Sequence, residues 1–147
     1  SALSLRGWGS GARGWERKKG DENMSVHYYR DLLVWQKSMD LCVEVHHATL
    51  VFPKQELFGL SAQLNRSVVS VPSNIAEGHG RRTTPDFIHF LSISRGSLNE
   101  VETQLTLAMR YHYITEADHD ELLERCGEIG RMLNGLIDAL ERRIALS

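Results

Sequence analysis

The stretch Gly78-His79-Gly80-Arg81-Arg82-Thr83-Thr84 gathers the residue types that hold a phosphate. Two glycines let backbone N–H groups point outward, two arginines supply charge, and the start of a helix follows directly. The same residues also suit an ordinary helix stop and turn, with the arginines paired to Glu77 and Asp86. No dinucleotide fingerprint is present, because the stretch follows a helical pattern and lacks a third glycine. Glu44-x-x-His47 and Glu116-x-x-His119 have the spacing of di-iron half-sites in helical bundles. Such a centre also needs an inward glutamate from each of two other helices. Glu56 and Glu77 fall at helix ends, while Glu100 and Glu102 fall off the apolar seam, so no metal and no other cofactor is expected. Hydrolytic chemistry lacks a frame as well: there is no Gly-x-Ser-x-Gly elbow, and the seven histidines are scattered. A protein without enzymatic activity is expected. Cys42 and Cys126 read either as a redox pair or as two small buried thiols in a reducing compartment.

The elements that must position these residues are all helical, with no alternating run long enough for a strand. A first helix is expected from about Asp31 to Val51, with Leu32, Trp35, Met39, Cys42 or Val43, His46 and Leu50 on one face and Phe52-Pro53 as its stop. A second runs from about Glu56 to Glu77 on Leu57, Leu60, Leu64, Val68, Val71 and Ile75. Pro72 lies inside that rhythm and predicts a kink rather than a break. Gly78 and Gly80 then end the helix as residues that enter the left-handed region do.

A third helix opens at Thr84-Pro85-Asp86 and carries Phe87, Leu91, Ser94, Leu98, Val101, Leu105 and Ala108, a coiled-coil-like stripe. The fourth follows Thr115-Glu116-Ala117-Asp118, a capping box by type, with Leu122, Cys126, Ile129, Leu133, Leu136, Leu140 and Ile144 as its seam. Short links between long helices make neighbours antiparallel. The expected fold is all-α, an antiparallel up-down-up-down four-helix bundle over 24–147.

Composition agrees with one ordinary domain: 147 residues, 41% hydrophobic and 24% charged, a net charge of −2. The charge is uneven. Residues 1–23, rich in Gly, Ser and Arg and holding Trp8 and Trp15, carry five basic and three acidic residues; from Met24 onward twelve basic face sixteen acidic. Residues 1–23 are read as a disordered leader or added segment, or alternatively as a basic, aromatic nucleic-acid arm, with Met24 the natural start. No membrane span or secretory signal is apparent, so a cytoplasmic protein is expected.

Four stretches then become recognisable together: YRDLLVWQK (29–37), FPKQELFGLSAQLNRSV (52–68), SVPSNIAEGHGRR (70–82) and FIHFLSISRGSLNEVETQL (87–105). Across about Arg30 to Leu140 the chain resembles the four-helix-bundle proteins encoded in bacterial 23S rRNA intervening sequences. Asn65 departs from the family, which commonly has a second arginine beside the one matching Arg66. The resemblance implies a homopentamer of unestablished biochemical function. It also implies a distant link to the pentameric accessory protein of diversity-generating retroelements, which binds nucleic acid.

The bundle topology sorts charge by height. Arg30, Arg81, Arg82, Arg142 and Arg143 share one end with Asp31, Glu77, Asp86, Asp138 and Glu141, which leaves that end roughly neutral. Glu56, Glu116, Asp118, Asp120, Glu121 and Glu124 make the other end acidic. RNA or a nucleoprotein partner, if bound, is expected at the five arginines, and a ring of subunits would concentrate their charge. The alternative is a purely protein-binding scaffold. Small and polar residues suggest close helix approach on helices two and three, among them Asn74, Gly96 and Ser97. Arg95, Asn99 and Glu102 flank that seam, positioned either for a subunit interface or for contacts within the chain.

Overall fold

The computed structural model describes residues 28–147. The leader over 1–23, its two tryptophans and the start at Met24 lie outside the described residues. After a 3-10 turn at Tyr29–Asp31 come α1 (Leu33–Thr49), a second 3-10 turn at Lys54–Glu56, α2 (Leu60–His79), α3 (Thr84–Arg110) and α4 (Glu116–Leu146). Among the described residues there is no strand, and no helix is long and apolar enough to cross a membrane.

Cross-helix pairs give the direction of each helix. Cys42 meets Val68 and Thr49 meets Asn65 between α1 and α2; Ser67 meets Glu100 and Ser94 meets Val71 between α2 and α3. Arg95 meets Asn134 and Thr106 meets His119 between α3 and α4, so successive helices run antiparallel. The Lys37–Glu128 ion pair, at 2.9 Å, joins α1 to α4 and closes the four-helix ring.

The α3 seam lies where the spacing puts it from Leu91 onward, with Phe87 half-buried; on α4 the spacing holds as far as Leu133, after which Ile137 is buried in place of Leu136 and Ile144 is exposed. Leu91, Ser94, Leu98, Val101, Leu105 and Ala108 are buried on α3, and Leu122, Cys126, Ile129, Leu133, Ile137 and Leu140 on α4. On α1 the buried stripe is Val34, Trp35, Ser38, Leu41, Val45 and Ala48, while His46 and Leu50 are exposed. Polar residues disguised this stripe. Ser38 is buried because its hydroxyl donates to the Val34 carbonyl at 2.6 Å, and Asp40 and Glu44 are buried beside Arg125.

Helix α2 begins four residues later than the pattern suggests, because residues 54–56 form a 3-10 turn and Gly59 sits at φ −103°, ψ −116°. Leu57 therefore leaves the seam and is 62% exposed. Pro72 lies within one continuous helix. An internal proline costs about 3 kcal/mol, whereas each of Val68, Val71 and Ile75 around it contributes about 1.5–3 kcal/mol on burial. The Val68 carbonyl, which the proline leaves without its helical donor, accepts the Cys42 thiol at 3.3 Å.

Gly80 stays right-handed at φ −79°, ψ −4°, so the end of α2 does not use the left-handed region. Gly78 is instead buried within α2. A Cβ there would lie 2.6 Å from Phe90 Cβ and 3.0 Å from Phe87 Cδ2, so its missing side chain sets the close approach of α3. The left-handed residue is His112, at φ 64°. Its N–H bonds to the Met109 carbonyl and that of Tyr113 to the Ala108 carbonyl, a Schellman ending for α3 with histidine where glycine is usual.

Candidate nucleic-acid interface

The α2–α3 turn is built by that close approach. Phe90 packs against the bare backbone of Gly78, and the His89 ring meets it edge-on at 5.8 Å. Above it lies Arg81, whose guanidinium carbon is 4.7 Å from the ring centroid. Arg81 Nη2 also donates to Glu77 Oε1 at 2.6 Å, one helical turn back. Arg82 is exposed and forms no ion pair among the described residues. Thr83, not Thr84, caps α3: its hydroxyl accepts the Asp86 N–H at 3.2 Å. Of the two pairings open to this turn, Glu77 takes Arg81, while Asp86 completes the cap without an arginine.

The antiparallel order brings the start of α1, the end of α2, the start of α3 and the end of α4 to the same end of the bundle. Arg30 is there, its guanidinium carbon 5.8 Å from the ring centroids of both Tyr28 and Tyr29. Its backbone carbonyl accepts Gln36 Nε2 at 2.7 Å. Arg142 and Arg143 are exposed in the last turns of α4, with no ion pair among the described residues.

The polar seam divides into two groups. Asn74 Nδ2 donates to the Ser70 carbonyl and hydroxyl, Ser70 and Ser97 hydroxyls lie 2.8 Å apart, and Ser94 donates to the Val71 carbonyl. The Ser70–Ser97 and Ser94–Val71 bonds join α2 to α3 within the chain, while those of Asn74 stay inside α2. Arg95 likewise turns to Asn134 on α4, at 2.8 Å. Gly96 and Asn99 face outward, and a Cβ on Gly96 would meet nothing within 4 Å. The packing reason expected for Gly96 is therefore absent within the described chain. Glu102 is half-buried, and that burial pushes its carboxyl up.

Burial pushes the Cys42 and Cys126 thiols up to about 12, which keeps both protonated and poor nucleophiles at neutral pH. Glu44 turns inward while His47 is exposed. His119 Nε2 lies 3.0 Å from the Thr106 hydroxyl and Nδ1 lies 3.0 Å from Asp120 Oδ1, an order of groups seen in hydrolytic triads. The Thr106 hydroxyl also has the Glu102 carbonyl as an acceptor at 2.9 Å, one helical turn back. The arrangement clasps α3 to α4. Among the described residues no group of three or more His, Cys, Asp and Glu is placed to hold a metal.

Two features escaped the sequence reading. One is the nearly buried Arg125, whose guanidinium is lowered by desolvation and supported by Glu44, Glu121, Asp40 and Glu128. The only local sign was the spacing of Glu121, Arg125 and Glu128 on one helical face. The other is an apolar patch at the α1–α2 link, where Leu50, Val51, Leu57 and Phe58 are exposed, Phe58 by 91%. Beside it lies a groove of about 450 Å³ lined by His46, Phe52, Pro53 and Ala62 among others.

Residues 30–135 match the family model of the 23S rRNA-intervening sequence protein. A similar solved structure is a protein of unknown function from the S23 ribosomal protein family of Bacteroides thetaiotaomicron VPI-5482. It is 30% identical, with a TM-score of 0.67, over 72% of this chain and 96% of that one. No curated protein matches the chain.

Proposed function

Given that this chain belongs to the 23S rRNA-intervening sequence protein family, we propose that it is a cytoplasmic, non-enzymatic module that binds RNA through the arginine end of its bundle. The observation that carries this reading is the state of the arginines there. Arg82, Arg142 and Arg143 are exposed without an acidic partner among the described residues, so their charge is available to a phosphate. One copy offers few such charges on a nearly neutral end. Assembly into a homopentamer multiplies them, which makes the oligomer part of the binding device. The bound species is RNA itself or RNA within a nucleoprotein.

A filter-binding titration with RNA at low salt tests the reading, alongside a solution mass measurement. Wild type is expected to bind with the mass of five protomers, and the Arg81→Ala, Arg82→Ala double variant to bind more weakly. Absence of RNA affinity, or affinity unchanged in the double variant, counts against RNA binding; a monomer mass counts against the assembly.

One observation favours a second reading, a purely protein-binding scaffold. Phe58 and its apolar neighbours stand exposed at the opposite end, beside the 450 Å³ groove. Docking there is apolar, so its affinity would hold as salt rises, whereas phosphate contacts weaken.

A further inference from the structure

Arg81 and Arg82 are adjacent in sequence but differ in surroundings. Arg81 has its guanidinium over the Phe90 ring at 4.7 Å and its Nη2 on Glu77 at 2.6 Å, yet 46% of its side chain remains exposed. Its charge is offset by a carboxylate. Its guanidinium lies over the ring of Phe90, a residue whose Cβ is seated against Gly78 and whose ring is edge-on to His89. Arg82 has neither a carboxylate nor a ring partner among the described residues.

We propose that Arg81 is a stacking platform for an unpaired nucleobase and Arg82 the phosphate contact beside it, so that this turn takes single-stranded RNA in preference to duplex. The inference rests on the RNA-binding reading and sharpens it. A phosphate is best met by a charge that is still free, because binding gains from releasing the counterions that the arginine replaces. Arg81 would first have to leave Glu77. A planar guanidinium already engaged by a carboxylate and a ring instead suits a π-face, since less side-chain freedom remains to be lost when a base settles on it. Bases reach such a plane only when splayed out of a helix, which duplex RNA does not allow. Phe90 backs the guanidinium, its ring centroid 4.7 Å from the guanidinium carbon.

The test separates plane from charge. A short oligoribonucleotide carrying 2-aminopurine is titrated, single-stranded and as a duplex, at several salt concentrations against wild type, Arg81→Lys, Phe90→Leu, Arg82→Ala and Arg82→Lys. Thermal melts check that each variant is folded. Arg81→Lys keeps the charge but loses the plane, and is expected to weaken single-strand binding about fivefold or more, with the salt slope unchanged and the 2-aminopurine signal lost. Phe90→Leu is expected to act in the same direction. Arg82→Ala is expected to lower the salt slope by about 0.7, and Arg82→Lys to restore it.

Wild-type affinity in Arg81→Lys, or duplex bound as tightly as single strand, overturns the inference alone. Failure of wild type to bind RNA at any salt overturns the RNA-binding reading and the inference with it.

Discussion

Glu102 and Arg125 are the residues at which burial and charge conflict. Arg125 is 3% exposed and keeps its place because carboxylates from α1 and α4 face it. Such a pairing adds little net stability but strongly disfavours any register that breaks it. Glu102 has no such support. Its carboxyl is pushed up by desolvation from a usual value of 4.5, so the folded chain holds the proton more tightly than the unfolded chain does. That contribution to stability is fully present below the unfolded value and is lost as pH rises through the raised folded value. Glu102→Gln is thus expected to melt with wild type at acidic pH and above it at neutral pH, as read by thermal unfolding across pH. A lower melting temperature at neutral pH would contradict the assignment. Neither environment was legible in the sequence, because Asp40 and Glu44 are separated from Arg125 by some eighty positions and look like solvent-facing residues of α1.

At the scale of elements, α3 and α4 were legible because their seams are long, apolar and unbroken, and because threonines stand at both starts. The cap of α3 is Thr83, one residue before the Thr84 at which the helix was expected to open, since both hydroxyls precede the proline. The stripe of α1 was harder to read, as Ser38 satisfies its hydroxyl within the helix and so hides among the core positions. The ends were the least legible. Nothing local marks His112 as left-handed, and glycines at 78 and 80 drew attention to the wrong freedom. Two substitutions test these assignments by denaturant unfolding. His112→Gly removes a Cβ from a conformation that disfavours it and is expected to add about 0.5–1 kcal/mol. Gly78→Ala forces a Cβ against Phe90 and is expected to cost about 1–3 kcal/mol. Equal stability of Gly78→Ala and wild type would mean that α2 and α3 are not held as closely as described.

For the whole molecule, the four-helix bundle followed from period, link length and caps, and family membership agrees with it. Function was less legible because it depends on which charges remain free once the chain has folded, and that is decided by contacts such as Arg81 with Glu77. A net charge of −2 excludes a uniformly basic binder but not a bundle whose arginines gather at one end. The central claim is that these free arginines meet RNA phosphates. Its most direct test is the slope of log affinity against log salt for wild type and for a variant with Arg82, Arg142 and Arg143 all changed to alanine. Affinity that falls linearly with salt in wild type, with a clearly shallower slope in the triple variant, is predicted. A flat dependence in wild type, or an identical slope in both proteins, would contradict it.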